Sequence, residues 1–569
     1  MRKAIGLVRL VHLALHVGTR TAPALGALAL ATTTLVACAD ENDPATWAKR
    51  LDEPAQRVDA IKRLDGMFNT AMSGANNNRE DPAVKKVLDA AVEPLAKVYA
   101  SGQLDDKTRK ELIKQIADMG DPRGAPAFAK AFKDYEPGKN DEDVKFAAQG
   151  TTRLAKDNKL TDQALIDALW DCFAKFQPSK AKSINLVKDL QGAVKTVKHA
   201  SYGPKAVALL SRPVTNPDSP EVGMDEIQFW QLTATQIVGD LKFTPAVKPL
   251  VTVLMTPTKK ALTFPVRLAL HKMYKEATPE LIKALKGEGD YQKLAEAYPE
   301  KAYLPLIAEP LAYISRPVAK DAILEALASA TTDQNRVILA TFLTHFPTDA
   351  KLVKAYTDAY AKVAPNAAIA LMGGSNGHAL MAGSSANFFD PSLTEWIVKE
   401  VAAAKGEAAD SMPAQALPAA IKLMTFEQSK AVGDAVAKIP GPANEKDMFA
   451  AAQAVTEKCK KDVACYVGVL DTPVPSSPPA KKMGHVKAVY MMVENAGGDT
   501  KAKLVERLER IKDGSVRLAM LEAIDHLSPQ GDAALGEKLE KMVETERAAG
   551  TGGTDEMYRV SLKLRSRVP

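Results

Sequence analysis

The sequence predicts an all-α protein: an α-solenoid of stacked helix pairs with a smaller C-terminal helical unit. Three observations predict it. Apolar residues recur at helical spacing along nearly the whole chain. Ile227, Trp230, Ala234, Ile237 and Val238 form one stripe, Val144, Ala147, Ala148, Thr151 and Leu154 another, and Val516, Met520, Ala523, Ile524 and Leu527 a third. No run alternates in the manner of a strand. "PLVTVLM" (249–255) and "VILATFL" (337–343) are ambiguous by period, but each falls where a helix is already expected. Finally, two short signatures return at one interval. "VKFAAQ" (144–149), "VRLALH" (266–271) and "VRLAML" (516–521) share Val-[Lys/Arg]-[Phe/Leu]-Ala; Val144 and Val266 lie 122 residues apart, about three times 41, and Val266 and Val516 lie 250 apart, about six times 42. "GDPRGAPAFAKAF" (120–132) and "FTPAVKPLVTVL" (243–254) share Pro-x-x-x-Pro, and Pro126 to Pro249 is 123 residues, the same period again.

Size agrees with an array. At 569 residues the chain exceeds what one compact core holds, and 46% hydrophobic with 25% charged residues is an ordinary folded composition. Residues 1–37 stand apart. They carry Arg2, Lys3, Arg9 and Arg20, no acid, and then the uncharged stretch "TAPALGALALATTTLVA" (21–37). A basic beginning, an apolar middle and small residues at the end make an export signal. The stretch is about 17 residues, the short limit for crossing a bilayer, so a retained anchor helix is the alternative. Leu35-Val36-Ala37-Cys38 resembles a bacterial lipobox. The resemblance implies cleavage before Cys38, lipidation of its thiol and acylation of the new amino terminus. Ala39 after the cysteine implies, by that family's sorting rule, the outer membrane of a Gram-negative envelope. Several acyl chains, at about 0.8 kcal/mol per buried CH₂, hold a soluble domain on a membrane where one would not. Residues 38–43 suit a tether.

The solenoid is expected over 44–470. Asp43-Pro44, Asp121-Pro122, Thr278-Pro279 and Asp390-Pro391 each place a cap or turn residue before a proline, as a helix start prefers. "DTPVPSSPPAKK" (471–482) carries Pro473, Pro475, Pro478 and Pro479 and reads as a semi-rigid linker over 471–483. A C-terminal helical unit is expected over 484–569. "MGDPRGAPAFAKAF" (119–132) and "DEDVKFAAQGTTRLA" (141–155) resemble HEAT repeats of the bacterial type. In that family a basic residue after the valine opens the first helix and Asp-Pro-Arg the second. The resemblance holds at 104–155 and 225–286, and more faintly at 50–68 and 512–543. It implies about ten to thirteen helix pairs between 44 and 569, and a long surface for protein partners.

Charge excludes one class of partner. The signal removes four basic residues, leaving 71 basic against 69 acidic. No concentrated basic face is left for nucleic acid; "KCKKD" (458–462) and "PAKKMGHVK" (479–487) read as solvated helix ends. Cysteine usage fits an oxidising compartment. Cys172, on an apolar helical face, is expected as a buried free thiol. Cys459 and Cys465 would lie about 9 Å apart along a continuous helix, too far to bridge. A turn ending at Asp462, which can N-cap the helix "VACYVGVL", brings them together as a disulfide; two independent packed thiols are the alternative.

Catalytic motifs are few. Gly373-Gly374-Ser375-Asn376-Gly377 matches G-x-S-x-G, a serine-hydrolase elbow, with Asp390 and His485 or His526 following in the required order. An elbow needs a strand before it, whereas "PNAAIALM" (365–372) is Ala-rich and reads as helix. A turn between helices is therefore expected, with Gly377 capping at positive φ. The mature histidines, at 199, 271, 345, 378, 485 and 526, are scattered, and no HExxH, CxxC, P-loop, EF-hand or GxGxxG is present. No metal, cofactor or catalytic residue is expected. The function expected is a non-catalytic, membrane-anchored protein-binding scaffold of the cell envelope. The alternatives are a serine hydrolase using 373–377, or a ligand-binding lipoprotein with a pocket between solenoid and C-terminal unit.

Overall fold

The two recurring signatures are the two helices of one repeat. The computed structural model describes residues 40–181, 183–438, 443–550 and 554–569. Residues 1–37, expected as an export signal, and Cys38, expected as the lipidation site, lie outside those residues. The chain divides into two compact units, 1–91 and 92–569. In the first, Pro44 opens the helix Pro44–Arg50, where a missing N–H costs nothing. Ala60, Ile61, Leu64 and Phe68 of the helix Arg57–Gly74 are its buried stripe. Arg50 lies 4.2 Å from the Trp47 ring centroid.

In the second unit, "VKFAAQ" lies on the helix Asp141–Lys156, "VRLALH" on Thr263–Lys272 and "VRLAML" on Gly514–His526. Val144, Val266 and Val516 are all fully buried, so the shared valine is the core contact of each repeat. The arginine after it turns away and pairs with a later helix, Arg267 with Glu309 and Arg517 with Glu546, both at 2.5 Å. The other signature builds the partner helix the same way twice. A 3₁₀ turn, Pro122–Gly124 or Thr244–Ala246, leads into Ala125–Lys133 or Val247–Leu254. The Asp121 side chain accepts the Arg123 N–H and closes the first of these turns.

Helix ends leave carbonyls without partners, and three repeats close them with one buried or half-buried cation. Arg153 donates to the carbonyls of Ala117 and Asp118, both at 2.7 Å. Lys259 donates to those of Leu210 and Arg212, at 2.6 and 2.7 Å. Lys487 donates to those of Lys422, at 2.8 Å, and Met424. Lys487 was expected on a solvated helix end and is instead fully buried, which pushes its ammonium down to about 7.

Some boundaries differ from expectation. Thr278-Pro279 does not start a helix: Pro279 lies inside Tyr274–Lys286, which begins after a break at Met273 with φ −117° and ψ 35°. The break comes six residues before Pro279, which therefore falls in the second turn of the helix. Asp390-Pro391 is followed by the helix Leu393–Ala403, two residues late. The stripe at 227–238 begins in a π-helical stretch, Gly223–Gln231, which adds a residue per turn and leaves Trp230 half-buried, its indole N–H on the Phe173 carbonyl at 3.0 Å.

From Leu304 onward the helices of one layer form a closed circuit. Leu304–Ile314 packs on Asp333–Leu343, that on Gly377–Ser384, that on Glu407–Leu423 and, through Ala443–Cys459, on Met483–Glu494. Met483–Glu494 packs on Gly514–His526, which packs on Thr554–Ser566, and this last helix returns to Leu304–Ile314. The proline-bearing stretch 471–483 leads straight into Met483–Glu494, whose side chains from Met483 to Val493 are all buried. The closure itself is polar: the Ser566 hydroxyl donates to the Ile314 carbonyl, and Arg567 donates to Ser315 Oγ at 2.8 Å and to the His345 carbonyl at 3.1 Å.

Candidate functional site

The Gly-Ser segment is a tight hairpin, not an elbow. Ala368–Ile369 pairs antiparallel with Ser375–Asn376, and a 3₁₀ turn, Ala370–Met372, joins them. "PNAAIALM" is thus not an α-helix: Ala368–Ile369 is a strand and only Ala370–Met372 turns, as 3₁₀. Positive φ falls at Gly373 and Gly374, at 66° and 79°, and not at Gly377. Gly377 opens the next helix because a Cβ there would stand 2.9 Å from Val337 Cγ2. The Ser375 hydroxyl donates to the Met372 carbonyl at 2.9 Å. Of the partners named with it, Asp390 accepts the Ser392 N–H, and His485 Nε2 meets Thr472 Oγ1 at 3.1 Å. His378, the nearest imidazole in sequence, stacks on Tyr360 at 4.1 Å. His526 lies against the Phe389 ring at 4.9 Å, and none of these contacts of Asp390, His485 and His526 involves Ser375.

Cys459 and Cys465 are bonded, their Cα atoms 5.3 Å apart. Helix Ala443–Cys459 ends, and Asp462 caps Val463–Leu470 by accepting the Ala464 N–H. Cys172 is free and buried, and desolvation pushes its thiol up to about 12. Among the described residues no group of three histidine, cysteine or carboxylate side chains is arranged to hold a metal ion. Nor, among them, is any helix long and apolar enough to cross a membrane.

Two arrangements are candidates for recognition. One is an edge. Ile184, Met224 and Phe264 are spaced by one repeat, 40 residues, at the starts of three successive helices of one layer. They are 63%, 42% and 67% exposed. Isolated exposed apolar residues are ordinary, but three in repeat register are not scatter. Charges of both signs flank them: exposed Lys180 and Lys260, exposed Asp218 and Glu221.

The other is a chamber of about 260 Å³ inside the closed circuit, where Leu304–Ile314, Gly514–His526 and Thr554–Ser566 meet the end of Asp333–Leu343. Its lining holds three cations, Lys563, Arg567 and Arg559, and three acidic side chains, Asp525, Glu556 and Glu522. Asp525 accepts from Lys563 at 2.9 Å and from Arg567 at 2.8 Å, and these cations hold its carboxyl below the ordinary range despite burial. Arg559 pairs with Glu556 at 3.1 Å and lies 4.6 Å above the Tyr313 ring. Burial pushes the imidazoles of His345 and His526 down; the cations Lys563, Arg559 and Arg567 add to the effect at His345, whereas at His526 the Asp525 carboxylate opposes it. Burial also pushes the Glu522 carboxyl up to about 7. Sequence reasoning singled out only His526 here, and for another role. Tyr313, His345, Glu522 and Arg559 are up to 246 residues apart in the chain, so no local signal joins them.

No protein-family model matches the chain, and no curated protein matches it in sequence. Among solved structures it is similar to an engineered protein, 15% identical over 85% of this chain and 98% of that one, with a TM-score of 0.26. It is also similar to importin beta crystallised in an ammonium sulfate condition, 11% identical over 92% of this chain and 80% of that one, TM-score 0.30. The class of protein is defined by the fold itself: an all-α helical-repeat protein of solenoid type.

Proposed function

We propose that this protein is a non-catalytic, lipid-anchored scaffold of a bacterial cell envelope that binds a protein partner along one edge of its repeat stack. The observation that carries the reading is the row Ile184, Met224 and Phe264. Its apolar residues recur with the repeat, so a single extended partner can meet all three in register. The mixed charges beside them favour a protein over an anionic bilayer, which would call for basic residues alone. Cys38 supplies the anchor, and its placement in an outer membrane follows from Ala39. The Cys459–Cys465 bond suits the same oxidising compartment.

The test places a photo-crosslinking residue at position 264 in intact cells, with position 260 as a flanking control. Discrete protein adducts from 264 that disappear in an Ile184→Ser, Met224→Ser variant support the reading. Adducts to lipid alone, or none, overturn it. Fatty-acid labelling tests the anchor separately: Cys38→Ala should abolish the label and leave a larger precursor.

A further inference from the structure

The apolar row on the repeat edge selects a form of partner as well as a place. Ile184, Met224 and Phe264 each stand in the first turn of a helical segment of one layer. Those starts are neighbours. The Ser179 N–H and hydroxyl both donate to the Asp225 carboxylate, at 2.7 and 2.6 Å, which ties the turn before Ile184 to the residue after Met224. The 3₁₀ turn Pro257–Leu262, just before Phe264, packs on the stretch Gly223–Gln231 that carries Met224. Helices packed side by side lie about 8–10 Å apart, so the row offers an apolar side chain at about that interval. Its middle member stands in a π-helical stretch, a conformation that is rare and concentrates at functional sites.

That interval suits a helix. An α-helix rises about 1.5 Å per residue, so two turns, about seven residues, return a side chain to the same face about 10.5 Å further on. A β-strand misses the interval: its side chains return to one face every second residue, at about 6.7 or 13 Å. A polyproline turn repeats at about 9 Å, but it docks in aromatic-lined grooves, and Ile184 and Met224 are aliphatic. Charge changes sign from each repeat to the next. Exposed Lys180 and Lys188 flank Ile184, exposed Asp218 and Glu221 flank Met224, and exposed Lys260 flanks Phe264.

We propose that this edge binds an amphipathic α-helix of the protein partner, laid across the three helix starts. Its apolar residues, about seven apart, meet Ile184, Met224 and Phe264, and acidic, basic and acidic residues stand beside them in that order. The proposal rests on the edge being the protein-binding surface and adds the form of the bound segment. About 15 residues are the least that reach all three members of the row, with roughly 21 Å between the outermost contacts. Such a helix buries one apolar stripe on the row and keeps its polar face in water. The order of charges follows from complementarity, which fixes register and speeds encounter more than it adds affinity.

The test places a photo-crosslinking residue singly at 184, 224 and 264 of the full chain in intact cells and maps each adduct to a residue of the captured protein. All three positions should label one segment of one protein, and the labelled residues should step by about seven from each position to the next. A Lys180→Glu, Lys260→Glu variant should lower the adduct yield from position 224 by about threefold or more, because two attractions become repulsions. Both lysines are exposed, so the thermal melt of that variant should match the parent's. Labelled residues that step by about three, or that fall on unrelated segments, overturn the helix while leaving the edge as the binding surface. An unchanged yield in the folded charge variant overturns the acid, base, acid order. Adducts to lipid alone, or none from any position, overturn both the helix and the protein-binding edge.

Discussion

Single residues in this protein are held in protonation states that oppose one another across the pH scale. His271 is buried between Tyr313 and Tyr558, and neither ring nitrogen has a partner. Desolvation first, then Arg267 and Arg559, push its imidazole down to about 3. A base with a depressed folded pKa contributes stability that is present above its unfolded value, 6.5, and is lost as pH falls toward 3. Glu522 has the opposite sign: its carboxyl is raised from 4.5 to about 7, so its contribution is present below pH 4.5 and is lost as pH rises through 7. Denaturant melts from pH 4 to 8 should therefore show His271→Phe flattening the acid limb and Glu522→Gln flattening the alkaline limb, each by on the order of 2–3 kcal/mol. Unchanged limbs in both variants would refute the assignment. The glycine-serine hairpin gives a second residue-scale contrast. Ser375→Ala should shift stability by no more than about 0.5 kcal/mol and remove no esterase turnover. Gly377→Ala brings a Cβ within 2.9 Å of Val337 Cγ2 and should cost about 1–3 kcal/mol by overpacking. Serine-dependent hydrolysis would reverse that ranking and reinstate the enzyme reading.

Between neighbouring helices, the joints are polar and local. The Cys459–Cys465 bond closes a short loop at one of them, so its reduction should lower stability by about 2 kcal/mol on the loop-entropy model. Non-reducing peptide mapping should join the two and leave Cys172 free; alkylation of all three without reduction would contradict this. Lys259→Met should cost about 1–3 kcal/mol, because the Leu210 and Arg212 carbonyls lose the one buried cation that closes them. These joints also mark where the sequence is legible. Val144, Val266 and Val516 announce their helices because burial on one face imposes one period wherever it occurs. The disulfide is readable because both cysteines and the Asp462 cap lie within seven residues. Lys259 and Lys487 are not readable, since a lysine that reaches back to an earlier helix has the same local context as one in water. The hairpin at 368–376 escapes notice because two-residue strands carry no period. The chamber escapes because apolar periodicity says which face of a helix is buried, not which other helix covers it.

Across the second unit as a whole, closure of the circuit sets which parts lose structure together. In an open stack each repeat touches its neighbours, so local stability varies along the chain and damage stays local. Between Leu304 and Arg567 the last helix also touches the first, through residues 252 apart in the chain. Arg567 is the centre of that contact. It is 1% exposed at its side chain and bonds Asp525, Ser315 and the His345 carbonyl at once. Arg567→Met removes the charge but keeps most of the volume, and it leaves Asp525 with Lys563 alone in a buried place. Breaking a buried pair from one side costs about 3–5 kcal/mol. The loss should not be confined to the chain's end. Hydrogen exchange should speed up together in Leu304–Ile314, at the end of Asp333–Leu343, in Gly514–His526 and in Thr554–Ser566, while Asp141–Lys156 and Ala125–Lys133, outside the circuit, keep their protection. Asp525→Asn should loosen the same four segments, since it withdraws the other half of the pair. If exchange rises only after residue 554 in both variants, the last helix is an appendage and the circuit is not a cooperative element.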